Sequence, residues 1–263
     1  GGAGYVYGDY GRLYNSTMIN NRAGDDGGAL FWQGNGGTVF NLTCKVNYAG
    51  DAGGSIFIFG SDLSFTDSSF TLSNASDYGG AIYIYGDNVL INTSLFDKCG
   101  VNAYDGGAIY ASGSNTTISK CNFIMNRVNI MNGGRGGSIN LQGNGAKILD
   151  CIFERCTAYE GGVAYINGSD VLIDDVTCER SFAANGGAFY IAGDNVTITV
   201  RENGENTIII AELPYDDYVW MGEPRKELWI QRYNLFHDIG KYTNTKVVPE
   251  EEFDEFYETY QKE

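Results

Sequence analysis

A Gly-Gly pair begins the same short phrase eight times, at Gly1, Gly27, Gly53, Gly79, Gly106, Gly136, Gly161 and Gly186. The steps between pairs are 26, 26, 26, 27, 30, 25 and 25 residues. A unit of this length cannot bury its own apolar face, so successive units must stack on one another. The period therefore specifies a solenoid, and the question becomes what each coil contains.

Counting each pair as offsets 0 and +1, the next residues alternate in polarity. Examples are Ser55-Ile56-Phe57-Ile58-Phe59 and Ala81-Ile82-Tyr83-Ile84-Tyr85. Alternation with period two marks a strand with offsets +3 and +5 inward and +4 outward. The +4 column reads Phe31, Phe57, Tyr83, Tyr110, Asn140, Tyr165 and Tyr190. From the coil at Gly27 onward, glycine recurs at +7 and only Gly, Asn or Asp occupies +9, the residues that best tolerate a left-handed backbone. A second inward pair follows at +10 and +12, such as Val89 and Ile91, and a third inward site at +17 holds Phe70, Phe96, Phe123 and Phe153. Offset +20 holds Asn21, Asn47, Ser73, Cys99, Asn126, Cys156 and Ser181, a polar ladder at a bend. Three short strands per coil predict an all-β, right-handed parallel β-helix of about seven coils of 25–30 residues over positions 1–200.

After Val200 the repeat stops, and residues 201–263 carry 15 acids and 7 bases. Thr207–Ile210 reads as a last strand, and Pro224–His237 and Pro249–Lys262 read as helices. Aromatic residues on one helix stripe suit a small α-containing cap or a partner-binding segment. The chain begins inside a repeat and shows no basic start with an apolar run, so it reads as a segment of a longer protein.

The net charge of −16 excludes a nucleic-acid partner, because phosphate recognition needs a basic face. No apolar run is long enough for membrane insertion as a helix. No Cys/His spacing forms a zinc site, and no cofactor motif is present. Acids recur before the glycine pairs, at Asp25, Asp26, Asp51, Asp77, Asp105 and Glu160. Stacked carboxylates repel unless a cation or water separates them, so calcium could sit there, with solvated turn acids as the plainer reading. Cys44 and Cys178 fall in the apolar +17 column and read as buried fillers. Cys121 and Cys151 share offset +15 in adjacent coils and form the one pair placed for a disulfide. Seven Asn-x-Ser/Thr sequons, at Asn15, Asn41, Asn74, Asn92, Asn115, Asn167 and Asn195, suggest an exported glycoprotein.

The phrases Gly79-Gly80-Ala81-Ile82-Tyr83 and Gly106-Gly107-Ala108-Ile109-Tyr110, with Phe123-x-x-Asn126, resemble the GGAI and FxxN repeats of polymorphic outer-membrane autotransporter proteins. They resemble still more the adhesin-like surface proteins of methanogenic archaea. The resemblance covers about residues 1–200 and implies extracellular display and adhesion, with no catalytic residues to carry over. The expected function is therefore a rigid rod at the cell surface or attached to the envelope, offering a binding surface to glycan or protein partners. Candidate surface residues are Tyr83, Tyr110, Tyr165 and Tyr190 of the aromatic column. Asn129, Asn132 and Arg135 join them from the longer coil that begins at Gly106. Pectate lyases and polygalacturonases share such a fold, so a polysaccharide lyase or hydrolase using Asp174, Asp175 and Arg180 is an alternative. The only histidine, His237, lies in the tail, which weighs against an enzyme. A spacer or stalk of an envelope protein is the third reading.

Overall fold

The computed structural model describes residues 1–199 and the strand Ile208–Ile210. The chain forms a parallel β-solenoid of the right-handed type, with about eight turns rather than about seven. One face is an eight-stranded parallel sheet whose strands follow chain order from Gly4–Tyr7 to Phe189–Ile191. The extra turn arises because the partial coil after Gly1 already contributes Gly4–Tyr7, paired with Leu30–Gln33.

Within the coil from Gly79, the first face holds Ile82–Tyr85, the second Leu90–Asn92 and Leu95–Asp97, and the third Gly100–Val101. Register is kept from coil to coil: Ile82 sits between Ile56 and Ile109, and Phe96 between Phe70 and Phe123. Each offset in the repeat is therefore a column along the axis. The columns at +3, +5, +12 and +17 are buried through the middle coils, including Ile56, Ile58, Ile82, Ile84, Phe65, Ile91, Phe70 and Phe96. The +17 phenylalanines stack at 5.0, 4.8 and 4.8 Å between ring centroids, which is the spacing of the strands themselves.

Four left-handed positions recur from coil to coil. In the coil from Gly79 they are Gly79 (φ 58°), Asn88 (58°), Thr93 (48°) and Lys98 (54°). The second glycine of the pair has a different role. A Cβ at Gly80 would meet the carbonyl oxygen of Gly107 and the backbone of Gly100, so the coils can close up only where no side chain exists. The polar ladder at +20 forms as expected: Asn21 Nδ2 donates to Asn47 Oδ1 at 3.0 Å, and the Cys99 N–H donates to Asn126 Oδ1 at 2.9 Å.

Among the described residues the only helix is a single 3-10 turn at Ile130–Asn132. Ile208–Ile210 pairs with Thr177–Asn185, which places a last strand where one was expected. The helices expected at 224–237 and 249–262, and with them the cap, lie outside the described residues. No helix of the described residues is long and apolar enough to cross a membrane.

Candidate functional site

Outside the core, the first face carries a ladder of aromatic rings. Tyr5, Phe31, Phe57, Tyr83 and Tyr110 stack in sequence at 4.9, 4.9, 4.9 and 5.1 Å, with ring planes within 15° of parallel. Parallel in-register strands hold identical offsets one strand spacing apart, which is also a favourable ring separation. A second stack runs beside it at offset +6, Phe59 on Tyr85 at 5.4 Å. A third closes the corner side, Tyr78 on Tyr104 at 5.2 Å, and Tyr78 also leans on the Tyr110 ring at 5.0 Å. Tyr83 and Tyr110 are thus brought together as expected. Phe59, Tyr85, Tyr78 and Tyr104 were missed. The period-two pattern Phe57-x-Phe59 and Tyr83-x-Tyr85 carries the signal for the first two, whereas Tyr78 and Tyr104 precede the glycine pair at different offsets and form no column.

The ladder breaks at Asn140, which takes the rung between Tyr110 and Tyr165. Asn140 is 0% exposed although it belongs to an outward column. In the next coil the Arg135 guanidinium lies 5.0 Å from the Tyr165 ring centroid, and its Nε is 3.3 Å from Glu160 Oε2. A cation over a tyrosine face substitutes for the missing ring. The expectation that Tyr165 is an exposed contact residue is corrected accordingly, since only 7% of it reaches solvent. Gln142 Nε2 donates to Asn140 Oδ1 at 2.6 Å, and Asn140 Nδ2 has no hydrogen-bond partner. Tyr165 and Tyr190 resume the ladder at 5.3 Å.

The added residues of the longer coil form an exposed 3-10 turn, with Met131 73% exposed, in which Asn129 Oδ1 accepts from the Met131 N–H at 3.0 Å and Gly133 turns the chain at φ 73°. Asn132 Nδ2 donates to the Asn102 carbonyl at 3.0 Å, tying the turn to the coil below. Asn129 and Asn132 shape the turn, while Arg135 is the residue it delivers to the aromatic face.

Acids line the corner beside the ladder. Asp25, Asp26 and Asp51 bring carboxylate oxygens within 4.8 Å of one another, an oxygen set of the kind calcium takes. Burial pushes Asp26 up to about 6, with the neighbouring Asp25 and Asp51 adding to it and a hydrogen bond from the Ala52 N–H opposing it. Asp51 and Asp105 are raised for the same first reason. Burial also pushes the Tyr110 phenol up to about 12, helped by Tyr83 and Asp105, so it is a hydrogen-bond donor at neutral pH.

Asp175 and Arg180 occupy two successive left-handed corners, at φ 52° and 51°. Those columns hold Thr93 and Lys98 in one coil and Lys120 and Met125 in the next. Asp174 ends the strand Leu172–Asp174 and pairs with Leu149.

All six cysteines are buried free thiols. Cys44 and Cys178 fill the core as expected. Cys121 and Cys151 do meet across adjacent coils, but the expected disulfide is not formed. The Cys151 side chain hydrogen-bonds to Cys121, which with burial holds the Cys121 thiol protonated. The sequon asparagines are ladder elements: Asn41 Nδ2 donates to Asn15 Oδ1 at 2.9 Å, Asn115 to Asn88 at 3.1 Å, and Asn167 to Gln142 at 3.0 Å. Asn195 donates to Asp170 and Asn74 to the Leu72 carbonyl, while Asn92 Oδ1 accepts from Ser119. At most of these positions the nitrogen that would carry a glycan is already a donor between coils.

The fold and this face define a parallel β-solenoid with an acidic, aromatic flank. No protein-family model, no curated protein and no solved structure matches the chain.

Proposed function

We propose that this protein is an adhesin-like display rod of the cell surface or envelope, which binds glycan or protein partners through the outer aromatic face. The carrying observation is the uninterrupted five-ring ladder from Tyr5 to Tyr110, flanked by the Phe59–Tyr85 and Tyr78–Tyr104 stacks. Aromatic ladders stabilise a solenoid from inside the core, as the +17 column does. A second set on the outer face, with Phe59, Tyr85 and Tyr104 each about half exposed, adds apolar area where solvent can reach it. Tyrosine suits such a surface, because a rigid apolar ring ends in a hydroxyl that can bond a partner.

The test is binding of the chain to a glycan array and to intact cells, with and without calcium, reading product release from acidic polysaccharides in the same samples. Retention that is weakened by Tyr83→Ala and Tyr110→Ala supports display. Cleavage overturns it and turns attention to Asp174, Asp175 and Arg180. Absence of both leaves the rod as a spacer.

A further inference from the structure

The +6 stack ends abruptly. Phe59 and Tyr85 share one pair of ring faces, and the next rung above Tyr85 is Ser112, since Ile84 pairs with Ala111 and the Ser112 N–H donates to the Ile84 carbonyl at 3.0 Å. Among the described residues Phe59 is the only ring stacked on Tyr85, and Tyr85 is 54% exposed. Tyr85 therefore turns an uncovered ring face toward a rung too small to fill it. Beside it runs a groove of about 430 Å³ floored by Gly60, Gly86 and Gly113. The floor is bare by necessity, because a Cβ at Gly86 would meet the Gly60 carbonyl oxygen and one at Gly113 the Gly86 carbonyl oxygen.

The groove wall is polar and acidic. Asn35, Ser61 and Asp87 form a turn ladder, in which the Asp87 N–H donates to Ser61 Oγ at 2.9 Å and the Ser114 N–H donates to Asp87 Oδ1 at 2.7 Å. Asp87 is the only charged residue of the lining. A ring face, a row of small acceptors and one carboxylate in a shallow groove match the chemistry of a pyranose. A sugar with equatorial hydroxyls lies flat on an aromatic face with its axial C–H bonds pointing into the ring, while its hydroxyls need acceptors at the edge. The volume falls within the range of small-ligand sites, about 300–1,000 Å³.

We infer that the step between Tyr85 and Ser112, with Asp87 at its rim, is a binding site for a neutral, gluco-configured pyranose. It rests on the display reading and narrows its partner to a neutral glycan. Asp87 Oδ1 is held by the turn, and its second oxygen accepts a sugar hydroxyl. The same carboxylate, in a chain of net charge −16, repels uronic acids, so pectin-like polymers are excluded from this site.

The experiment titrates the 263-residue chain with cellotriose and, separately, with trigalacturonate, following binding by chemical shifts of the ligand. Cellotriose is expected to bind at millimolar concentration or below, and trigalacturonate not to bind. Ser112→Tyr adds the missing rung and covers the Tyr85 face. It is expected to weaken cellotriose at least about tenfold, as is Tyr85→Ala, whereas Tyr85→Phe stays within about twofold, because the ring face and not the hydroxyl carries the contact. Ser112→Tyr keeps the fold, since the two coils below already carry rings in that outward column, Phe59 and Tyr85, so it decides the matter if Tyr85→Ala unfolds. Cellotriose binding unchanged in both variants overturns this site and leaves the display reading standing. No cellotriose binding, or equal binding of trigalacturonate, overturns the inference, and the cell-binding experiment above judges the display reading separately.

Discussion

Trp32 shows how a single residue sets its neighbours. It occupies the inward +5 offset, where Ile58 and Ile84 stand in the next coils, and is buried with its indole N–H unpaired. The extra volume is absorbed at the +10 column, where Gly11 and Gly37 replace the Leu63 and Val89 of later coils. A Cβ at Gly37 would meet the Trp32 ring, and one at Gly11 would lie 2.9 Å from it. Gly37→Leu is therefore expected to destabilise by about 1–3 kcal/mol through overpacking. Trp32→Ile in the same chain should recover most of that loss, because the pair then reproduces the next coil. A urea-melt double-mutant cycle measures this, and additive costs would refute the compensation. The second glycine of each pair is constrained differently. Gly80→Ala places a methyl against the backbone of the adjacent coil, which no rotamer change relieves, and should cost at least as much as the upper end of that range, about 3 kcal/mol.

At the scale of the strand, in-register stacking makes each column a continuous element. Phe96 is fully buried between Phe70 and Phe123, at 5.0 and 4.8 Å. Phe96→Ala should cost about 3–5 kcal/mol. Because each coil touches only its neighbours, the faster amide exchange should be confined to the flanking coils and not spread to the ends. The columns that could be read from sequence share a chemical reason. The +17 phenylalanines and the +9 Asn/Asp/Gly set mark themselves by residue type. The left-handed corner at +14 does so in part, with Asn15, Asn41, Asp67, Asp150 and Asp175 beside Thr93 and Lys120, whereas the one at +19 does not, since Val46, Leu72, Lys98 and Met125 adopt a positive φ there without any bias toward it. Stacking on the coil above and below imposes that geometry, and one sequence phrase cannot show it. The break at Asn140 was visible as an irregularity. The Arg135 contact with the next ring was not, because only the fold brings the corner before Gly136 over the Tyr165 ring.

For the molecule as a whole, acidity is the dominant charge property, with a net charge of −16, and among the described residues one row of acids lines the corner beside the aromatic flank. Asp26, Asp51 and Asp105 all have raised pKa values, each with burial as the first cause. A carboxyl whose pKa is higher in the folded than in the unfolded chain binds its proton more tightly when folded. Its contribution to stability is fully present below the unfolded value and is lost as pH rises through the folded one. For Asp26 that window runs from the ordinary 3.8 to about 6. Asp26 faces Asp25, Asp51 and the Gly1 amine, so both acids add to the repulsion and the amine offsets part of it. Solvent reaches more than half of the group, which reduces the effect to about 1 kcal/mol or less. Self-repulsion of a chain with net charge −16 acts in the same direction. Thermal melts at fixed ionic strength should therefore show Tm falling between pH 4 and 7. Asp26→Asn separates the local from the global contribution: it should raise Tm at pH 7 and flatten the slope, while leaving Tm at pH 4 close to that of the parent chain. A Tm that climbs through this window, or an Asn variant with an unchanged slope, would show that the corner carboxylates are not under strain.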